Sequence, residues 1–183
     1  MRYSNKKIWI IGCLLASVFF IFFTYTFLHE IGHGIIGVIS GGSIKELDVG
    51  INAHIKIVGA KYNNITLPLG NAFGAILPYI LTVIIIIFYN KSIKNEVYHC
   101  INFLFMVMVS SSMIAWVVIP IVWVYGIAPT GDDVTKFMNN SNLNPWFVSL
   151  TALLLILFML FIGLRVKKVH KKYIDMIKIL KAK

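Results

Sequence analysis

Residues 8–39 read IWIIGCLLASVFFIFFTYTFLHEIGHGIIGVI, an apolar run in which His29, Glu30 and His33 are the only acidic, basic or imidazole side chains. Roughly 20 apolar residues in a helix cross the hydrocarbon core of a bilayer. The run therefore reads as a membrane span with length to spare. Arg2, Lys6 and Lys7 precede it as they would a signal peptide, but it exceeds the ~7–15 residues of a signal-peptide core. It is read as a permanent helix.

Three further apolar segments follow, at residues 68–89, 97–126 and 146–164. The expected fold is an α-helical integral membrane protein with about four transmembrane helices. Residues 1–164 form the polytopic membrane domain and residues 165–183 a basic C-terminal tail. The first and third segments are long enough to require tilt, a bend or protrusion, and Gly32, Gly34, Gly37 and Pro120 are the expected places. Between the first two spans, Ala53-His54-Ile55-Lys56-Ile57-Val58 alternates apolar with polar, the period of a strand. A short β-hairpin at the membrane edge is predicted there. In the tail, Val166, Val169, Tyr173, Ile177 and Leu180 recur at helical spacing among lysines, as in an interfacial amphipathic helix, with a solvated tail as the alternative expectation.

The composition agrees with a membrane protein: 58% of residues are hydrophobic and only 13% charged, with a mean hydropathy of +0.83, whereas an ordinary soluble domain is about 45–50% apolar. The excess of 17 Lys and Arg over 7 Asp and Glu points to anionic lipid headgroups rather than nucleic acid, since eight of the basic residues follow the last apolar segment directly. Cys13 and Cys100 lie in or beside apolar stretches with no CxxC spacing and are read as packing residues. With four spans, the N-terminus, the 90–97 loop and the tail share one side. That side carries 13 of the 17 basic residues, which predicts that it is cytoplasmic and that the HExxH end of the first span faces outward.

His29-Glu30-Ile31-Gly32-His33 is an HExxH sequence. On a helix the i, i+4 spacing sets both imidazoles on one face, able to share one metal ion, with Glu30 beside them as a general base. Three such groups within an apolar helix each cost about 2.5–3.5 kcal/mol on insertion scales unless compensated. That expense favours metal binding over the competing reading, two histidines paired with a carboxylate for structure alone. A catalytic zinc takes three protein ligands and keeps one position open. Position 39 is Ile, so the longer motif with a third histidine is absent, and His99 and His170 fall at the opposite membrane face. Asp132 and Asp133, after the third span, lie on the same face as the HExxH; one binds metal, or the pair sits in a loop or caps a helix, or one caps while the other binds. His54, Glu46 and Asp48 share that face as weaker candidates.

The chain resembles the site-2 protease family of intramembrane zinc metalloproteases, in particular its small bacterial membrane members. The resemblance rests on HEIGH late in an apolar helix followed by Gly41-Gly42, on Pro68-Leu69-Gly70-Asn71 as a P-x-x-N motif opening the next helix, and on Gly131-Asp132-Asp133 before the last span. It implies one Zn2+ per chain held by His29, His33 and Asp133 (alternatively Asp132), with Glu30 catalytic and Asn71 holding the substrate backbone. It further implies a multi-pass protein of the bacterial plasma membrane that hydrolyses membrane-spanning or membrane-associated peptides, its hairpin adding a strand to an extended substrate. The chain departs from the family in lacking the Leu-Asp-Gly context at Asp133, in carrying Leu67 before the proline, and in having no accessory domain. Well-known members also place zinc toward the cytoplasm, against the charge count here. A non-proteolytic binding or immunity protein on the same scaffold is the alternative expectation. Zinc transport would call for histidines and carboxylates spread over successive spans, and only one cluster exists.

Overall fold

The computed structural model describes residues 3–50 and 52–181. Among these, four helical segments are long and apolar enough to cross a membrane: α1 (Tyr3–Ile39), α2 (Thr66–Ile87), α3 (Glu96–Val124) and α5 (Pro145–Leu160), the last prolonged by a π-helical turn at Phe161–Val166. The short α4 (Asp133–Ser141) precedes α5, and α6 (Val169–Lys181) follows the π turn. Strands β1 (Ser43–Asp48) and β2 (His54–Val58) form an antiparallel hairpin between α1 and α2, pairing Ser43 with Val58 and Asp48 with His54. This is the architecture that hydropathy and strand alternation predicted.

The first helix runs unbroken through Gly32, Gly34 and Gly37. These glycines serve as close contacts. Gly32 abuts the Phe73 carbonyl of α2, and Gly37 abuts Ile57 of β2. A Cβ at Gly34 would lie 2.7 Å from Ile55 Cδ1 and 3.2 Å from Ile44 Cδ1. The inward residues of β2, Ile55 and Ile57, thus drop onto a strip of α1 without side chains, while His54, Lys56 and Val58 face out. The hairpin is seated over the last two turns of α1 for that reason. Pro120 lies inside α3, which continues to Val124.

The core between the spans is built from Tyr79, Ile86, Met106, Val109, Met113 and Met159. Lipid tails are as apolar as leucine, so close packing rather than water exclusion holds such helices together. Gly163 accordingly admits Met106 at the π turn, and the Tyr79 hydroxyl donates to the Leu155 carbonyl at 3.0 Å. Large apolar side chains such as Phe19, Phe20 and Phe158 remain exposed on the outside of the bundle, where lipid would meet them.

At the end away from the hairpin, α6 is helical as its spacing predicted. Its apolar side docks on the bundle: Val169 is fully buried, and Met176 and Tyr173 sit with Ile10 of α1 and Cys100 of α3. His99 is consumed by structure. It accepts from the Tyr89 hydroxyl at Nδ1 (2.8 Å) and donates from Nε2 to the Ile93 carbonyl (2.7 Å), pinning the α2–α3 turn. Cys13 and Cys100 are both buried and unpaired.

Candidate metal centre

The HExxH segment lies in α1 at the hairpin end, with His29 and His33 one turn apart on the face toward α2 and α4. Their rings are 4.7 Å apart and nearly perpendicular (81°). The two adjacent aspartates divide their tasks through helix capping. Asp132 is the N-cap of α4: its side chain accepts from the backbone N–H of Val134 (2.8 Å) and Thr135 (3.3 Å), orphan donors of the first turn. The cap leaves Asp133, the first helical residue, turned toward α1. Its Oδ2 lies 3.1 Å from His29 Nε2 and 3.2 Å from His33 Nε2, and the two Nε2 atoms are 3.1 Å apart.

The residues present fit a zinc ion. Ligand atoms ~2.0–2.1 Å from zinc at tetrahedral corners stand about 3.3 Å from one another, and the three observed edges are 3.1, 3.1 and 3.2 Å. The chemistry of the donor set agrees. His33 Nδ1 donates to the Gly70 carbonyl at 2.7 Å, which leaves Nε2 of the neutral ring as a lone pair. That lone pair, a carboxylate oxygen and a second imidazole nitrogen converge on one point. A single shared proton lies along one edge of this triangle, whereas one cation satisfies all three corners. Burial opposes ionisation of Asp133, yet the two imidazoles beside it favour the charged form and hold its carboxyl well below the usual carboxylate range. His29 Nδ1 is buried without a hydrogen-bond partner in the structure.

The imidazoles stand where they do because α2 has no side chain at Gly74. A Cβ there would meet His33 Nε2 at 2.5 Å and His29 Cε1 at 2.9 Å. Gly70 and Gly74 make a small-xxx-small stripe that brings α2 against the histidine face of α1. Glu30, 9% exposed, is not among the three converging residues but opens on the same cavity. That cavity, about 520 Å³, is walled by the metal-ligand candidates and Asn71 on the bundle side and by His54, Ile55 and Ile57 of β2 on the other, with Lys136 of α4 at its rim.

Of the predicted site residues, the structure brings together His29, Glu30, His33, Asn71 and Asp133, and sets Asp132 aside as a cap. The Asn71 side-chain nitrogen is buried without a partner. His54 lines the cavity outside the converging triad, its Nε2 3.7 Å from Glu46 Oε1, while Asp48 is taken up by the Gly50 N–H at 2.7 Å. Sequence reasoning missed the second-layer roles of Gly70 and Gly74, for which their i, i+4 spacing was the available signal. It also missed Lys136, whose ammonium is 3.6 Å from Asp133 Oδ1 and whose i, i+3 spacing pointed to that pairing. No family model matches the chain, and neither a curated protein nor a solved structure matches it.

Proposed function

We propose that this protein is an intramembrane zinc metalloprotease that hydrolyses peptide bonds in membrane-embedded or membrane-adjacent segments. The observation that carries the reading is the near-equilateral triangle of His29, His33 and Asp133 with Glu30 on the same cavity wall, inside a four-span helical bundle. Zinc bound there supplies Lewis acidity toward water and toward a peptide carbonyl. Glu30 takes the proton from the attacking water and returns it to the nitrogen of the departing amine as the C–N bond breaks. His33 is held in its metal-binding tautomer by the Gly70 carbonyl. Asn71 offers an unpaired amide on the cavity wall, suited to the backbone of an extended peptide. The polar lining answers a general difficulty of such chemistry, which is that water must reach a bond otherwise enclosed in lipid.

Purified wild type and Glu30→Gln, compared for zinc content by elemental analysis and for cleavage of a model transmembrane peptide, test the reading. Both are expected to hold about one zinc per chain, with cleavage by the variant reduced at least ~100-fold, the lower end of what a general base contributes. A variant that cleaves at the wild-type rate overturns the assignment of Glu30. A wild type that binds zinc without cleaving any peptide favours the binding or immunity scaffold.

A further inference from the structure

We infer that the metal cavity opens toward the outer, non-cytoplasmic face of the membrane. Its occupants are then peptide segments presented from that side. The face is argued from charge and geometry alone; only the identification of the occupant as a peptide rests on the protease reading.

Three observations carry the inference. The first is parity. A re-entrant or broken first segment would return the histidines to the side on which the chain entered, but α1 is one continuous helix from Tyr3 to Ile39. From Lys7 to His29 it advances about 33 Å at ~1.5 Å per residue, which is the ~30 Å of a hydrocarbon core. The histidines therefore lie one membrane thickness from the basic start of the helix.

The second is the distribution of charge. Lys6, Lys7, Lys91 and Lys94 belong to the far end, as do Arg165 and the lysines of α6, which folds back on α1 and α3 there. The hairpin end holds Lys45, Lys56, Lys61 and Lys136. All lie in short connections or close to span ends, the setting in which Lys and Arg bias sets orientation, and the richer side is cytoplasmic.

The third is the placement of aromatic and polar side chains. Tyr62, Tyr125 and Trp146 are exposed at the hairpin end and Trp9 at the other, as interfacial aromatic belts are. Trp146 and Arg165 bracket about 28 Å of the last span. The floor of the site runs along α2 from Gly70 and Asn71 to Gly74 near the middle of that helix, and the roof is a hairpin with Lys56 and Glu46 exposed. The cavity is thus bounded on its outer side by polar side chains. A peptide reaches it from that side.

Charge-neutral variants that each add one exposed cysteine test this without demanding zinc or activity, so that a failure here is separate from a failure of the protease reading. Asn52→Cys and Asn64→Cys mark the hairpin end; Ser92→Cys and Ile174→Cys mark the basic end; all four positions are exposed. The wild type, whose two cysteines are buried, is the blank. Each full-length protein in right-side-out bacterial spheroplasts is treated with a membrane-impermeant maleimide before and after detergent. The expected result is labelling of the two hairpin-end cysteines at least ~10-fold faster than the basic-end pair in intact spheroplasts, with equal labelling once detergent is added. The reverse pattern, or equal labelling of both ends in intact spheroplasts, overturns the inference. Two positions at each end keep the outcome decisive if one variant does not accumulate.

Discussion

Replacing Gly74 with alanine is the sharpest test of how the site is built. The new Cβ would sit 2.5 Å from His33 Nε2, 2.7 Å from His33 Cε1 and 2.9 Å from His29 Cε1. Ordinary contact begins near 3.4 Å, so one or both rings must retreat by up to about 0.9 Å, several times the ±0.2 Å that metal–ligand distances tolerate. Neither ring moves freely: His33 is tied to the Gly70 carbonyl and both ride on a continuous helix. Zinc affinity is therefore expected to fall at least ~100-fold, the upper end of the loss seen when a ligand's support is removed. Helix stability pulls the other way, since alanine is favoured over glycine in a helix interior by about 1 kcal/mol. The variant should keep its helical circular dichroism while losing zinc in competition titrations with a chelator. A Gly74→Ala protein that binds zinc within about threefold of wild type would refute the crowding argument, and with it the claim that α2 sets the positions of the imidazoles.

Four other outcomes follow from the same structure. Asp133→Asn is expected to abolish stoichiometric zinc, whereas Asp132→Ala retains it and loses only a cap worth about 0.5–2 kcal/mol, read as faster hydrogen exchange in α4. Lys136→Met should change zinc affinity by no more than about fivefold, because its pairing with Asp133 is half-exposed and solvent screens it; titration of the variant checks this. Gly37→Val should unseat the hairpin from α1 and make residues 43–58 sensitive to protease in detergent while zinc is retained. His54 is expected to titrate above the ordinary histidine value of about 6.5, because its ring donates to the Asn52 carbonyl and faces the carboxylates of Glu46, Asp48 and Glu30. A raised folded value means that its contribution to stability is present below the unfolded value and is lost as pH rises through the folded one. NMR should show the midpoint falling part of the way in Glu46→Gln, since the largest cause, the backbone carbonyl, remains.

What the sequence made legible divides along physical lines. Spans and hairpin were readable because the solvent imposes them: a bilayer demands about 20 apolar residues, and a half-buried strand alternates. The close approaches at the glycines of α1 were not legible, because composition tells where a helix lacks side chains but not what approaches the gap. In Gly34 and Gly37 the gap is filled by isoleucines of the hairpin, and in Gly32 by a backbone carbonyl of α2. The tail was legible as a helix, yet its apolar side faces α1 and α3. Periodicity reports that a face is covered and not by what.

The site divides in the same way. HExxH is a local pattern, and one helical turn is enough to bring its two histidines together. The third corner of the triangle is non-local, separated from His29 by the whole of α2 and α3, and sequence left Asp132 and Asp133 level on reading the residues alone. What separates them in the structure is a cap: the first turn of α4 needs an acceptor for its free N–H groups, Asp132 supplies it, and the next side chain is thereby turned toward α1. Exchanging the order of tasks would require α4 to begin one residue later and rotate by about 100°, carrying Val134 and Met138 out of the interface where they are 2% and 3% exposed. Which aspartate faces the histidines is thus fixed by the apolar face of a nine-residue helix, and the same packing that buries Val134 is what presents Asp133 to the two imidazoles.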